Sequence, residues 1–267
     1  MKEKPYSKEY FEDILNNLKK DNKNKIVKAS YSEEVKEIQS LFKHKEHAIN
    51  NLSKEYFELE KGAKGNIPSG LHEISIINET LEQVLNAGTS VQMNRIMKAV
   101  NEKFRCLKEN FHFPKNLKKD YREQIAKAKS FAHISQLRRV FEAKKELINK
   151  VTKYHEKLSQ KENDSNEHFK DNLFTLIKQV TVSIKHSISV PALKRTEDLF
   201  FSKIFAVECL SKEYARLEKN YKGNIPSGLH EISIINLTLL KVMANNSPER
   251  INREVNLAKE KIQLLKK

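Results

Sequence analysis

The sequence predicts an all-α protein made of two homologous helical modules joined by a long basic helix or a helical hairpin. The prediction depends on composition, on an internal match and on the periodicity of the segment between the matching copies. Apolar residues make up 38% of the 267 residues and charged residues 32%, with only six glycines and six prolines. Helices with solvated outer faces fit this balance better than a β-sandwich, which needs many turns.

The internal match appears when the sequence is compared with itself at an offset of 158 positions. Residues 7–109 then align with residues 165–267 without a gap, and 26 of 35 positions are identical between 52–86 and 210–244. The segment Lys64–Asn78 recurs letter for letter as Lys222–Asn236. Solenoid repeats have periods of roughly 33 to 47 residues, so this longer period favours duplication of a whole module. We therefore expect a first module at 1–110, a connector at 111–164 and a second module at 165–267.

The predicted connector has no counterpart in either copy and contains no glycine. Its apolar residues keep mostly three-to-four spacing from Leu117 to Leu158, which is typical of helices. An unbroken helix of about 44 residues would extend roughly 65 Å at 1.5 Å per residue. A break near Ser130 to Ser135 would instead give a helical hairpin, and the spacing does not choose between the two.

Positive charge is concentrated in the same connector. The formal net charge of the chain is +15, and residues 118–161 carry 13 Lys or Arg against five acidic residues. Such a stripe suits phosphate contacts with little sequence discrimination. The alternative is a solvated helix face with ion pairs such as Glu146 with Lys150. The candidate contacts are Lys118, Lys119, Arg122, Arg138, Arg139, Lys144 and Lys145.

Each copy of the matching region is predicted to be a helical hairpin. The first helices are expected at 52–61 and 210–219, with Ser53 and Ser211 as N-caps. The second helices are expected to begin near Gly70 and Gly228. Apolar residues at helical spacing predict that one face of each second helix is core. In the first copy these residues are Leu71, Ile74, Ile77, Leu81, Val84 and Leu85.

The loop within each hairpin is the main candidate binding site. It leads into a helix N-terminus, where unpaired N–H groups and the helix dipole favour an anion or an acidic partner. The alternative is structural, with a positive φ at Gly65, an N-cap at Ser69 and a hydrogen bond from His72 to a neighbouring helix. The candidate binding residues are Lys64, Asn66, Ser69, His72, Lys222, Asn224, Ser227 and His230.

Catalysis, metal binding and a membrane span are not indicated. His72 and Glu73 are adjacent, so on a helix they point about 100° apart and do not act on one atom. Cys106 and Cys209 lack metal-ligand spacing and a disulfide framework, which favours a reducing, cytoplasmic compartment. Export without a classical signal peptide is also compatible with the sequence. We expect no enzyme activity, no cofactor, no metal and no transmembrane segment.

These observations favour a non-enzymatic adaptor with two related surfaces for protein partners. The alternative is binding of an anionic ligand, either nucleic acid through the connector or a phosphoinositide-bearing membrane through the repeated loops. The second copy has Leu237 and Leu240 in place of Glu79 and Glu82. We expect the second module to bury more surface, with these leucines against the other module, the middle helix or a second protein.

Overall fold

The computed structural model of the protein describes residues 8–64, 67, 71–109, 115–160, 167–223, 225–226 and 229–265. These residues form helices and their connections, without a β-strand, which confirms the predicted all-α class. The helices are α1 (Lys8–Lys28), α2 (Ser32–Gly62), α3 (His72–Asn86), α4 (Ser90–Lys108), α5 (Lys115–Lys127), α6 (Phe131–Gln160), α7 (Glu167–His186), α8 (Val190–Asn220), α9 (His230–Ala244) and α10 (Pro248–Leu264).

The chain divides into two compact units. Unit 1 is Met1–Arg138 and unit 2 is Arg139–Lys267, so the division falls within α6. In unit 1, α2 packs against α1, α3 and α4, and α5 packs against both α3 and α4. In unit 2, α8 packs in the same way against α7, α9 and α10. The two units therefore share one arrangement of four helices.

Helix bounds and contacts correspond between the units at the offset of the sequence match. Both α2 and α8 are 31 residues long, and α8 begins 158 positions after α2. The buried ammonium of Lys45 donates to the carbonyl of Leu85 over 2.7 Å, and Lys203 donates to Met243 over 2.6 Å at the corresponding positions. Thr89 and Ser247 also correspond, and each caps the last helix of its four. Duplication stays our interpretation of these correspondences.

The helices α2 and α8 correct the predicted starts at Leu52 and Leu210. Ser53 lies within a continuous α2 and Ser211 within a continuous α8, so neither serine is an N-cap. The helices continue because no proline or glycine interrupts their interiors. Buried residues also keep helical spacing on both sides of Ser53, so packing favours helix throughout. In α2 they are Lys45, Ala48, Ile49, Leu52 and Tyr56.

The region predicted as connector contains two helices rather than one long helix. Helix α5 ends at Lys127, and α6 begins at Phe131 with Ser130 accepting from the N–H of His133 over 3.2 Å. Tyr121 and Ile125 of α5 are buried in unit 1. In unit 2, Tyr154 of α6 donates to Glu208 of α8 over 3.0 Å. Each unit thus adds a fifth helix: α5 against α3 and α4 in unit 1, and α6 against α8 in unit 2.

Candidate interaction surfaces

The loops predicted to bind anions follow α2 and α8. Lys64 and Lys222 adopt the left-handed region with φ of 51° and 50°, and Gly223 follows with φ of 80°. The N–H of Gly223 donates to the carbonyl of Glu218 over 2.8 Å, which satisfies a carbonyl at the end of α8. Four candidate residues lie outside the described residues: Asn66, Ser69, Asn224 and Ser227.

The helices after these loops begin later than predicted. His72 and His230 are the first residues of α3 and α9, and Leu71 and Leu229 occupy the N-cap positions without a side-chain hydrogen bond. A leucine cannot accept a hydrogen bond from the first turn, so the N-terminal N–H groups gain no side-chain cap there. The N-cap position of α3 is therefore a leucine, and the predicted Ser69 cap lies outside the described residues.

Identical letters have different surroundings in the two units. His72 is partly buried, whereas His230 is exposed. Glu73 is buried, but the corresponding Glu231 is only partly buried. Ile76 is 1% exposed, whereas Ile234 is partly buried. The difference has a local cause, because α5 packs against α3 and no described helix of unit 2 takes the corresponding place on α9.

Three polar interactions hold α5 in that place. Arg122 donates to the carboxylate of Glu73 over 2.5 Å and to the carbonyl of Leu107 over 2.9 Å. Lys103 of α4 donates to the carbonyl of Ala126 over 2.9 Å, near the C-terminal end of α5. These bonds satisfy carbonyls at the ends of α4 and α5 that have no partner within their own helix. Unit 1 therefore shows how α3 and α4 together bind a basic helix.

Burial changes the acidity of groups beneath α5. Burial raises the pKa of the Cys106 thiol and of the Tyr121 phenol, which lie near each other. Burial lowers the pKa of the Lys103 ammonium, and the nearby Glu79 carboxylate opposes that change. All three groups are therefore less readily charged than in water, as expected for a closely packed interface.

The predicted basic stripe is divided among different environments. Lys119 and Arg139 are exposed, and Lys118 and Lys145 are partly buried. Arg122 is the cation that binds Glu73 in unit 1.

Two further stripe residues are also engaged within their own units. Arg138 approaches Glu109 to 2.7 Å and Glu102 to 3.6 Å in unit 1. Lys144 is buried in unit 2 and donates to the carbonyl of Lys185 over 2.9 Å. Carboxylates and carbonyls of the same unit therefore already pair with some of the cations that were predicted to bind a ligand.

Helix α9 differs from α3 in its outer face. Leu237 and Leu240 are 60% and 68% exposed, where α3 has Glu79 and Glu82. Neither leucine is therefore buried against another described part of the chain. For this helix, the expectation that the second module buries more was wrong. Six residues of α3 are buried, against four of α9: Ile235, Thr238, Leu239 and Val242.

Sequence reasoning missed two further exposed leucines on α10. Leu257 is 41% exposed and Leu264 is 68% exposed. They correspond to Ala99 and to the buried Cys106 of α4. The signal was present in the sequence, because both substitutions enlarge an apolar side chain in the second copy. The face to which these residues belong only becomes apparent from the packing of α5.

Other site classes find no support in the described part of the chain. Its residues include no group of three or more His, Cys, Asp or Glu side chains arranged to hold a metal ion. No helix within the described ranges has the length and apolar character to cross a membrane. Comparison with protein-family models, curated proteins and solved structures finds no match.

Proposed function

We propose that this chain is a non-enzymatic interaction protein in which two related helical units present surfaces to protein partners. The observation that supports this function best is the pair of exposed leucines on the outer side of α9. Four of its residues are buried in the core of unit 2, and Leu237 and Leu240 extend the apolar character to the solvent side. Ser233, Asn236 and Lys241 lie on the same exposed side, so the leucines form an apolar patch with a polar rim, which is typical of a protein-binding surface.

The comparison with α3 strengthens the proposal. Both helices begin with the same seven letters, His72–Asn78 and His230–Asn236, and both pack on the long helix of their unit. Between Glu79 and Gln83, the positions at which the two helices differ lie on the outer side. At these positions, acidic or polar residues of α3 are replaced by leucine or lysine in α9. Packing within unit 2 does not require these leucines, because they remain exposed. A partner that covers this side of α9 would bury both leucines, which gives them a role in binding.

Cross-linking of tagged protein in its native cell extract tests the proposal. The variant Leu237→Glu, Leu240→Glu places unit 1 letters on α9 and is expected to lose the partners captured by the wild type. Val27→Glu, Val91→Glu is the matched control, because these valines of α1 and α4 are 85% and 62% exposed. Both variants should unfold at the wild-type temperature. Identical partner lists for all three proteins would contradict the proposed function.

The repeated loops are the second part of each proposed surface. A variant with Asn66→Ala, His72→Ala, Asn224→Ala and His230→Ala tests them in the same capture experiment, after a check that it unfolds cooperatively. We expect the partner list to shrink if the loops bind. An unchanged list would assign the loops a structural role.

Nucleic-acid binding is the second candidate function, and the net charge of +15 with exposed Lys119 and Arg139 favours it. Binding through these cations should weaken steeply as salt rises. The variant Lys119→Glu, Arg139→Glu should then bind DNA and RNA more weakly than Lys19→Glu, Lys20→Glu, which makes the same charge change on exposed residues of α1. Selective binding to phosphoinositide vesicles would instead favour the membrane alternative.

A further inference from the structure

One side of α9 and α10 corresponds to the side of α3 and α4 that α5 covers. We call it the open face, and its polar residues are Glu231 and Lys261. These carry the same letters as Glu73 and Lys103. Its apolar residues are Ile234, Leu237, Leu257 and Leu264.

Three unit 1 residues at these positions interact with α5. Glu73 accepts from Arg122, and Lys103 donates to the carbonyl of Ala126. Cys106 and Tyr121 are both buried and lie near each other. In unit 1, these positions therefore form part of a binding surface for a helix.

The open face keeps the charges of that surface and enlarges its apolar part. Glu231 is partly buried and Lys261 is exposed, in places where Glu73 and Lys103 are buried by α5. Cys106 is replaced by Leu264, Ala99 by Leu257 and Glu79 by Leu237. All three leucines are at least 41% exposed. More apolar surface beside the same two charges is what a binding face for a separate helix requires.

Helix α5 itself shows the chemistry of a suitable occupant. Its buried residues Leu117, Tyr121 and Ile125 are four positions apart and form one apolar stripe. Arg122 lies next to this stripe and supplies the charge that Glu73 receives. On the open face, Glu231 is placed to accept from such a cation, and Lys261 to donate to carbonyls at the C-terminal end of the helix.

We propose that the open face of unit 2 binds a basic amphipathic helix of a partner protein, in the orientation in which α5 binds unit 1. The proposal rests on the proposed function as an interaction protein and specifies the class of partner. The helix α5 of a second copy is a poorer occupant, because Glu73, Leu107 and Lys103 already hold it in its own unit.

The test uses the full chain and a labelled peptide with the sequence of Lys115–Lys127. A lactam between Glu123 and Lys127 stabilises its helix, since these two side chains already form an exposed i,i+4 pair at 2.6 Å. We expect saturable binding by fluorescence anisotropy. Leu264→Glu should weaken it about tenfold or more, because the charge is placed among apolar contacts. Asn252→Glu is the control, on an exposed position of α10 outside the open face.

A charge exchange identifies the orientation. Glu231→Arg should weaken binding of the original peptide about tenfold, and a peptide with Arg122→Glu should restore binding to that variant. Glu231 is partly buried, and no described helix of unit 2 packs on α9 as α5 packs on α3, so the variant should melt like the wild type. A variant with a damaged fold would not regain binding to the Arg122→Glu peptide, so restored binding shows that the two charges interact.

The outcomes separate this inference from the proposed function. Absence of peptide binding, or binding unaffected by both Leu264→Glu and Glu231→Arg, overturns the inference. A dimer in sedimentation that Leu264→Glu dissociates also overturns it, in favour of a second copy as occupant. Partner capture that depends on Leu237 and Leu240 leaves the proposed function standing in either case.

Discussion

At the scale of single residues, the repeated segment shows that a side chain's role depends on what covers it. Glu73 and Glu231 have the same letter, the same neighbours in sequence and the same place in the first turn of a helix. Glu73 is buried against Arg122, whereas Glu231 remains partly open. A buried carboxylate depends on its partner far more than an open one does, because water no longer solvates its charge.

Glu73→Gln and Glu231→Gln test that difference as a matched pair. We expect Glu73→Gln to lower the free energy of unfolding by about 1–3 kcal/mol, since it removes one charge of a buried hydrogen-bonded pair. Glu231→Gln should change it by less than about 0.5 kcal/mol. Urea titrations followed by circular dichroism measure both, and equal losses would contradict the assigned burial.

The raised pKa of Tyr121 predicts a dependence of stability on pH. Its folded-state pKa lies above the ordinary value of 10, so the folded protein keeps a proton that the unfolded chain releases. The stabilisation is therefore complete below pH 10 and is lost as pH rises above it. Between about pH 8 and pH 11, wild-type protein should lose more unfolding free energy than Tyr121→Phe does. Parallel losses in the two proteins would show that Tyr121 ionises equally in both states.

At the scale of elements, α2 and α8 show why local start signals mislead. A serine followed by acidic and apolar residues resembles an N-cap, and Ser53 fits that pattern. Apolar positions before Ser53 pack against α1, α3 and α4, so the helix begins 21 positions earlier at Ser32. The true caps are found where polar side chains accept from the first turn, as Thr89 does from Gln92 over 3.2 Å. Tertiary contacts therefore decided the bounds of these helices.

Alanine substitutions separate an interior serine from a cap. Ser53→Ala and Ser211→Ala should leave the free energy of unfolding unchanged or raise it by up to about 0.5 kcal/mol, because alanine is the better helix former. Thr89→Ala is the positive control and should lower it by about 0.5–2 kcal/mol. A loss of that size at Ser53 would mean that a helix does start there.

At the scale of the whole molecule, two compact units each have their own buried residues. Ile77 in unit 1 and Ile235 in unit 2 carry the same letter at corresponding positions, and both are 0% exposed. The core around Ile235 includes residues from α6 to α10, such as Val151 and Val207. Related units with different fifth helices leave different residues exposed. This difference is the basis of the partner binding that we propose.

Cavity-forming substitutions test whether each core stabilises its own unit. Ile77→Ala and Ile235→Ala should each lower stability by about 2–5 kcal/mol, since both remove buried methyl groups. Hydrogen exchange followed by mass spectrometry should show faster exchange in α1 to α5 for Ile77→Ala and in α7 to α10 for Ile235→Ala. Uniform acceleration along the chain in both variants would show instead that the units open together.

The sequence by itself determined the all-α class, the repeated segment and the helical hairpins around it. Composition, helical spacing and letter identity are local or pairwise properties, and they are readable without coordinates. The tertiary structure alone decided that α5 covers α3 and α4, that Arg122 pairs with Glu73, and that no described helix of unit 2 covers the open face. Identical letters cannot report this difference, because burial depends on contacts with residues distant in the chain.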